Sequence, residues 1–203
     1  HPKIGSLLGG IPITDNPEEI KNADCLIEFT LPEVTLEHLK VVLKYRRAII
    51  IGTTGLTNEQ KSKIVEASKN IPIVFSPNMS IGVNLLFKIV KETTQALRDY
   101  KVSIVEAHHI HKKDVPSGTA KRMAEIVKEF SGKEVSDIKS IREDEIIGDH
   151  EIIFDSPLDT IKLIHSAKTR DIFAKGALEA AKWLIKKKAG LFDIQEVVEG
   201  RLS

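Results

Sequence analysis

The chain has 203 residues, enough for one large domain or two intertwined smaller ones with a buried core. Its 41% hydrophobic and 29% charged residues and formal net charge of +1 are those of an ordinary globular protein, and nothing in them argues for nucleic acid or an anionic membrane as the main partner. The lone Cys25 excludes an internal disulfide framework and fits a reducing, cytoplasmic setting, and neither a membrane-length apolar run nor a secretory signal segment is present.

The first residue is His1 rather than Met, so the sequence reads as trimmed, processed or a fragment. Asp24–Thr30 is a short apolar run ending in a polar turn, and Val34, Leu36, Leu39, Val42 and Leu43 then recur at helical spacing. Ala48–Thr54 is a continuous apolar run, as expected of a strand buried on both faces of a parallel sheet. Thr57 and Gln60 form a capping box for a second helix, and Ile71–Pro77 is a third buried-type strand. This alternation predicts an α/β, doubly wound, Rossmann-like sheet.

From Ser80 the pattern changes. A helix over about 80–97 leads to a strand at Lys101–His109, in which Val102, Ile104 and Ala107 break any simple alternation. A helix follows Pro116 to about Phe130, and three strand-like segments then crowd together at 136–143, 150–156 and 160–168. They predict a second, α+β region with an antiparallel or mixed sheet. A last helix over 171–188 has basic residues in its final turn and Gly190 as its C-cap.

Ligands of open α/β sheets bind at the carboxyl ends of the strands. Two such ends, Gly52-Thr53-Thr54-Gly55 and Ser76-Pro77-Asn78-Met79, offer close backbone approach, hydroxyls and an amide, although these residue types also favour ordinary turns. The dinucleotide pattern G-x-G-x-x-G does not occur; Gly5–Gly10 has the wrong spacing and follows no strand. A βαβ unit takes roughly 30 residues or more, and nothing that long precedes Asp24.

The densest chemistry lies in Ile104–Ala120, IVEAHHIHKKDVPSGTA. On an extended strand His109 and His111 project to one side and His108 to the other, with Lys112 and Lys113 beside them. Ser117 is placed to N-cap the next helix, whose Gly118 and Thr119 N–H groups then form an anion site. Together these describe a pocket for a small anion flanked by proton donors. A metal site is disfavoured, because no Cys accompanies the histidines and adjacent ligands on a strand diverge. A solvated strand end followed by a plain helix cap is the competing reading.

The run EAHHIHKKDVPSGTA resembles the signature of the 4-hydroxy-tetrahydrodipicolinate reductase (dihydrodipicolinate reductase) family, and FTLPEVTLEHL, IGTTGLT, SPNMSIGVNLLFKIV, SIREDEIIGDHEIIF, HSAKTRDIFAKGAL and GLFDIQEVV resemble further family segments in family order. The resemblance implies reduction of a cyclic dicarboxylate by NADPH or NADH, with loss of water, to tetrahydrodipicolinate, in lysine biosynthesis through diaminopimelate. It implies His108 as general acid/base and Lys112 as proton donor. His109, Ser117, Gly118 and Thr119 would surround the substrate carboxylates, and Gly52, Thr53, Thr54, Ser76, Pro77, Asn78 and Met79 would line the nicotinamide cofactor. It further implies a homotetramer built through the sheet of the second domain.

On this basis residues 1–79 and 177–203 are expected to form a partial dinucleotide-binding domain, and 80–176 a substrate-binding and oligomerisation domain. The family's first strand, glycine-rich loop, first helix and second strand have no counterpart, which keeps a second reading open: a truncated, non-catalytic homologue that binds a dicarboxylate or a partner subunit. Val115 stands where the family has alanine, Met79 where phenylalanine is common, and Asp144 where R-x-G is expected, leaving the role of Arg142 open. A two-domain dehydrogenase for an amino-acid semialdehyde shares the nucleotide fold but does not account for the histidine-lysine run.

Overall fold

A computed structural model describes residues 3–201. The chain divides into two compact units, one running up to Pro77 and resuming at Ala177–Val197, the other holding Asn78–Gly176 and the residues from Val198 onward.

The first unit opens with a hairpin of β1 (Leu7–Leu8) and β2 (Ile11–Pro12). Gly9 and Gly10 turn it with φ of 57° and 85°, the left-handed pair that a two-residue hairpin turn requires. The Gly5–Gly10 stretch, expected to follow no strand, is therefore itself a hairpin. A 3₁₀ turn at Pro17–Asn22 leads to β3 (Cys25–Glu28), α1 (Pro32–Tyr45), β4 (Ala48–Ile51), α2 (Asn58–Ser68) and β5 (Pro72–Phe75). Ile49, Ile50 and Ile51 are fully buried, which is why that run is apolar throughout instead of alternating. Leu39 and Val42 of α1 and Ile64 and Ala67 of α2 pack with Ile49 and Ile51 in one apolar cluster. Thr57 accepts the N–H of Gln60 while the Gln60 side chain accepts the N–H of Thr57, closing the expected capping box.

The second unit contains α3 (Ile81–Ala96), β6 (Lys101–His108), α4 (Gly118–Ser131), β7 (Asp137–Arg142), β8 (Asp149–Asp155) and β9 (Thr160–Ser166). Its sheet has the order β7-β6-β8-β9, with β6 and β7 parallel and the other pairs antiparallel. The registers Val102↔Phe154, Ile104↔Ile152, Ile152↔Leu163 and Ile104↔Ile138 bring one apolar patch together at one end of a face. Val83, Leu86 and Val90 of α3 and Met123, Ile126 and Val127 of α4 cover that patch. Burying side chains of this size stabilises by roughly 1.5–3 kcal/mol each.

The chain returns through α5 (Asp171–Leu184), β10 (Gly190–Phe192) and α6 (Ile194–Glu199). Gly190 is not a C-cap: α5 ends at Leu184, and Gly190 starts a strand parallel to β5, paired with Pro72. The first unit's main sheet is thus wholly parallel, in the order β10-β5-β4-β3. A three-residue edge strand has no period to read, so its existence rests on the sheet that receives it.

Candidate active site

Strand β6 alternates strictly between buried and half-exposed residues up to its carboxyl end, contrary to the broken alternation expected of it. Its inward side chains are Val102, Ile104, Glu106 and His108, so two titratable groups occupy positions that hydrophobic residues fill further back. The pairing Glu106↔His150 on β8, His150↔His165 on β9, and Glu106↔Ser140 and His108↔Arg142 on β7 puts all these polar side chains on the same face as the apolar patch, at its other end.

Glu106 is 1% exposed and its carboxylate is shared. One oxygen meets His108 Nδ1; the other accepts from Arg142 Nη2 at 2.9 Å. Burial pushes the Glu106 carboxyl up, but the hydrogen bonds from its partners, led by Arg142, outweigh it and hold the group below the usual carboxylate range. Burial lowers the His108 imidazole, and the Lys112 and Arg142 charges add to that against the pull of Glu106. His108 is therefore neutral at pH 7. A Cβ at Gly148 would stand 3.0 Å from His108 Nε2, a tight contact that the imidazole would have to yield to, so the glycine leaves this nitrogen space.

Past His108 the strand ends and a loop turns back. Lys112 sits in it with Nζ 2.8 Å from Asp114 Oδ1. Arg142 donates from Nε to the Lys112 carbonyl at 3.3 Å and from Nη2 to the Asp114 carbonyl at 2.6 Å, a role unrelated to Asp144, whose own carbonyl accepts from the Ile110 N–H. His109 Nε2 accepts from Arg170 at 3.3 Å, and its ring lies 6.2 Å from that of His111. Because the chain has left the extended conformation, the alternating projection expected of the three histidines does not apply beyond His108.

Ser117 caps α4 as expected, its hydroxyl oxygen accepting the Ala120 N–H at 3.2 Å. The same oxygen lies 3.2 Å from Nε2 of buried His150, whose ring meets that of His108 edge to face at 5.0 Å. The structure thus joins Glu106, His108, His150, Ser117 and the start of α4 in one chain of contacts. Burial first, then repulsion from His108 whenever that ring is protonated, lowers the His150 imidazole to about 3, so it serves as a neutral, fixed contact. Glu106, His150, Arg142 and Arg170 were not among the expected site residues.

Glu106, His108 and His150 also form the group of donors, among the described residues, close enough to hold an ion, with ligand atoms within 4.8 Å. The expectation that the histidines diverge overlooked a donor from a second strand. Yet the carboxylate already has a guanidinium on one oxygen and an imidazole on the other. That donor set suits proton handling better than a dication, which would have to displace the guanidinium.

In the first unit, Gly52 lies at the end of β4, where an added Cβ would overlap the Phe29 ring at 2.3 Å. Thr53 departs from expectation: it is 2% exposed and its hydroxyl is 2.8 Å from that of Thr35, which itself donates to the Leu31 carbonyl. It braces β4 against the start of α1, and Thr54 is the exposed hydroxyl of the pair. Ser76 is buried and Pro77 exposed at the end of β5. In the second unit, Asn78 accepts from the Ser80 N–H at 2.9 Å and donates to Thr119 Oγ1 at 3.5 Å, whereas the Met79 side chain is interior, 1% exposed.

The family described as dihydrodipicolinate reductase, N-terminus, matches residues 2–79, and that described as dihydrodipicolinate reductase, C-terminus, matches residues 82–198. The 4-hydroxy-tetrahydrodipicolinate reductase of Syntrophotalea carbinolica is 40% identical over 205 residues, covering 91% of this chain and 77% of that protein. That of Geotalea uraniireducens is 37% identical over 227 residues, covering 98% and 85%. A dipicolinate-bound dihydrodipicolinate reductase from Paenisporosarcina sp. TG-14 shares the fold, with a TM-score of 0.79 at 24% identity over 92% of this chain and 79% of that one.

Proposed function

Since the chain belongs to the dihydrodipicolinate reductase family, we propose that it reduces 4-hydroxy-tetrahydrodipicolinate to tetrahydrodipicolinate with NADPH or NADH, in lysine biosynthesis through diaminopimelate. The observation that carries this reading is the contact chain from Glu106 through His108 and His150 to Ser117, with Lys112 tied to it by Arg142.

A dicarboxylate meets complementary chemistry here. The N–H groups at the start of α4, with Gly118 and Thr119, suit one carboxylate, and the positive end of a fourteen-residue helix adds to their pull. Ser117 and His109 extend the same contact. His108, held neutral by burial, exchanges a proton with the substrate ring or its departing hydroxyl, and the Lys112 ammonium supplies one. Loss of water needs a proton on the leaving oxygen, and ring reduction needs one beside the hydride.

The carboxyl ends of β4 and β5 fit a nicotinamide cofactor: they are the open ends of parallel strands, with Gly52, the exposed Thr54 and the Ser76–Pro77 turn there. Asn78 and Met79 follow at once in the chain. When bound, the cofactor supplies the hydride. The choice between NADH and NADPH, a homotetramer, and a cytoplasmic location belong to the same proposal. The sheet face bearing Val105, Ile141, Ile153 and the 64%-exposed Ile164 supports the assembly, and no helix among the described residues is long and apolar enough to cross a membrane.

The test is turnover of the substrate with each nicotinamide, together with calorimetric titration of both. His108→Ala and Lys112→Ala are each expected to lower kcat by roughly 10²-fold or more. Near-normal turnover in both variants overturns the roles, and no nicotinamide binding favours the non-catalytic, dicarboxylate-binding alternative.

A further inference from the structure

We propose that Glu106 and Arg142 are the positioning residues of this site, one carboxylate setting the tautomer of His108 through one oxygen and the seat of Lys112 through the other. The proposal rests on the reductase reading and extends it to two residues that transfer no proton themselves.

A carboxylate that is 1% exposed must be compensated, and Glu106 is compensated twice, by His108 Nδ1 and by Arg142 at 2.9 Å. An ionised carboxylate only accepts, so the proton between it and a neutral imidazole sits on Nδ1. His108 Nε2 is then a bare lone pair beside Gly148, whose missing side chain leaves it room. This is the state a general base needs, and it is imposed through the other ring nitrogen.

The second oxygen works through the guanidinium. Arg142 gives one hydrogen bond to Glu106 and three to carbonyls: Ile141 at 2.7 Å, Lys112 at 3.3 Å and Asp114 at 2.6 Å. Two of those carbonyls bracket the loop that carries Lys112, so the loop hangs from Arg142 and Arg142 is anchored on Glu106. A buried ion pair yields little net stability over an apolar pair of like volume. What this one imposes is the spacing between the two proposed proton handlers. A lysine in place of Arg142 would keep the charge but lose the planar fork that reaches three directions at once.

Glu106→Gln separates these functions. Arg142 presents only donors, so the amide oxygen turns to it and the amide nitrogen turns to His108. That nitrogen donates to Nδ1 and drives the imidazole proton onto Nε2, the opposite tautomer. The charged and titratable groups facing His108 are Glu106 on its own strand, Arg142 on β7, His150 on β8, and Lys112 and Asp114 in the loop. Only the first changes.

The experiment is long-range proton–nitrogen correlation NMR of the full chain with labelled histidine, alongside steady-state kinetics. Wild-type His108 is expected to carry its proton on Nδ1 and Glu106→Gln on Nε2. The variant should lose roughly 10²-fold or more in kcat with KM for the dicarboxylate unchanged. The limb of its kcat profile that belongs to His108 should move to lower pH. Arg142→Lys should lower kcat while leaving the His108 tautomer as in the wild type. A wild-type His108 protonated on Nε2 overturns the proposal whatever the turnover and whether or not either variant folds. So does a folded Glu106→Gln with unchanged tautomer and pH profile. A wild type with the Nδ1 tautomer but no reductase activity refutes the functional reading instead.

Discussion

Acidification should unfold the second unit through His150, and the size of the effect follows from its burial. The imidazole is 4% exposed on β8 and titrates at about 3 in the fold, against 6.5 for an unburied histidine. Below 6.5 the unfolded chain binds a proton that the folded chain refuses, so the stability His150 provides is complete above that pH and falls away between 6.5 and about 3. At about 1.4 kcal/mol per tenfold change in proton activity, going from about pH 7.5 to about pH 4.5 withdraws roughly 3 kcal/mol through this residue alone. His108 and His165, also lowered by burial, add in the same direction. The comparison is therefore wild type against His150→Gln, which keeps a polar contact toward Ser117 but does not titrate. Urea denaturation followed by circular dichroism at both pH values gives the difference, with Trp183 fluorescence reporting the first unit. The wild type should lose roughly 3 kcal/mol more than the variant over this range. Equal losses, or an NMR titration placing His150 near 6.5, refute the reasoning.

Three further outcomes follow. Gly176→Ala places a Cβ 1.7 Å from the Met79 carbonyl oxygen, backbone that cannot rotate away, and should cost about 3 kcal/mol or more in thermal unfolding; a wild-type Tm would refute it. Burial pushes the Cys25 thiol up to about 12 from an ordinary 9.0, so the native chain should react with a thiol reagent roughly a thousandfold more slowly than the urea-unfolded chain. Equal rates would contradict that environment. Thr57→Ala removes one half of the α2 capping box and should lower stability by about 1 kcal/mol, read as a shift in urea midpoint with the slope unchanged.

What sequence reasoning missed is as physical as what it found. Helix starts were legible at Thr57 and Ser117, because a cap is made by residues within one turn of each other. The same local signal was present at Asp193, which accepts from the Glu196 N–H while Glu196 accepts from the Asp193 N–H, yet a six-residue helix offers too little periodicity to draw attention to it. Glu106 went unread for the opposite reason. A lone acid next to histidines on a strand looks like an exposed edge until a partner appears, and Arg142 lies 36 positions away. The pairing of Ser117 with His150 spans 33 positions and is equally invisible to local pattern. Thr53 drew notice as a ligand contact because its type and place fit one, whereas Thr35 across the turn had already engaged its hydroxyl.

The division follows from range. Local chemistry along the chain determined that one unit would be parallel α/β and the other would carry a mixed sheet, and it concentrated histidines, lysines and a capped helix start between His108 and Thr119. Those are properties of residue types at short spacing, where propensity and capping act without reference to the rest of the fold. Tertiary structure alone decided that Glu106 and His108 point inward, that Arg142 closes on both Glu106 and the Lys112 loop, and that His150 is kept neutral. Strand register and burial make those choices, and both come into being only when segments distant in the chain pack together.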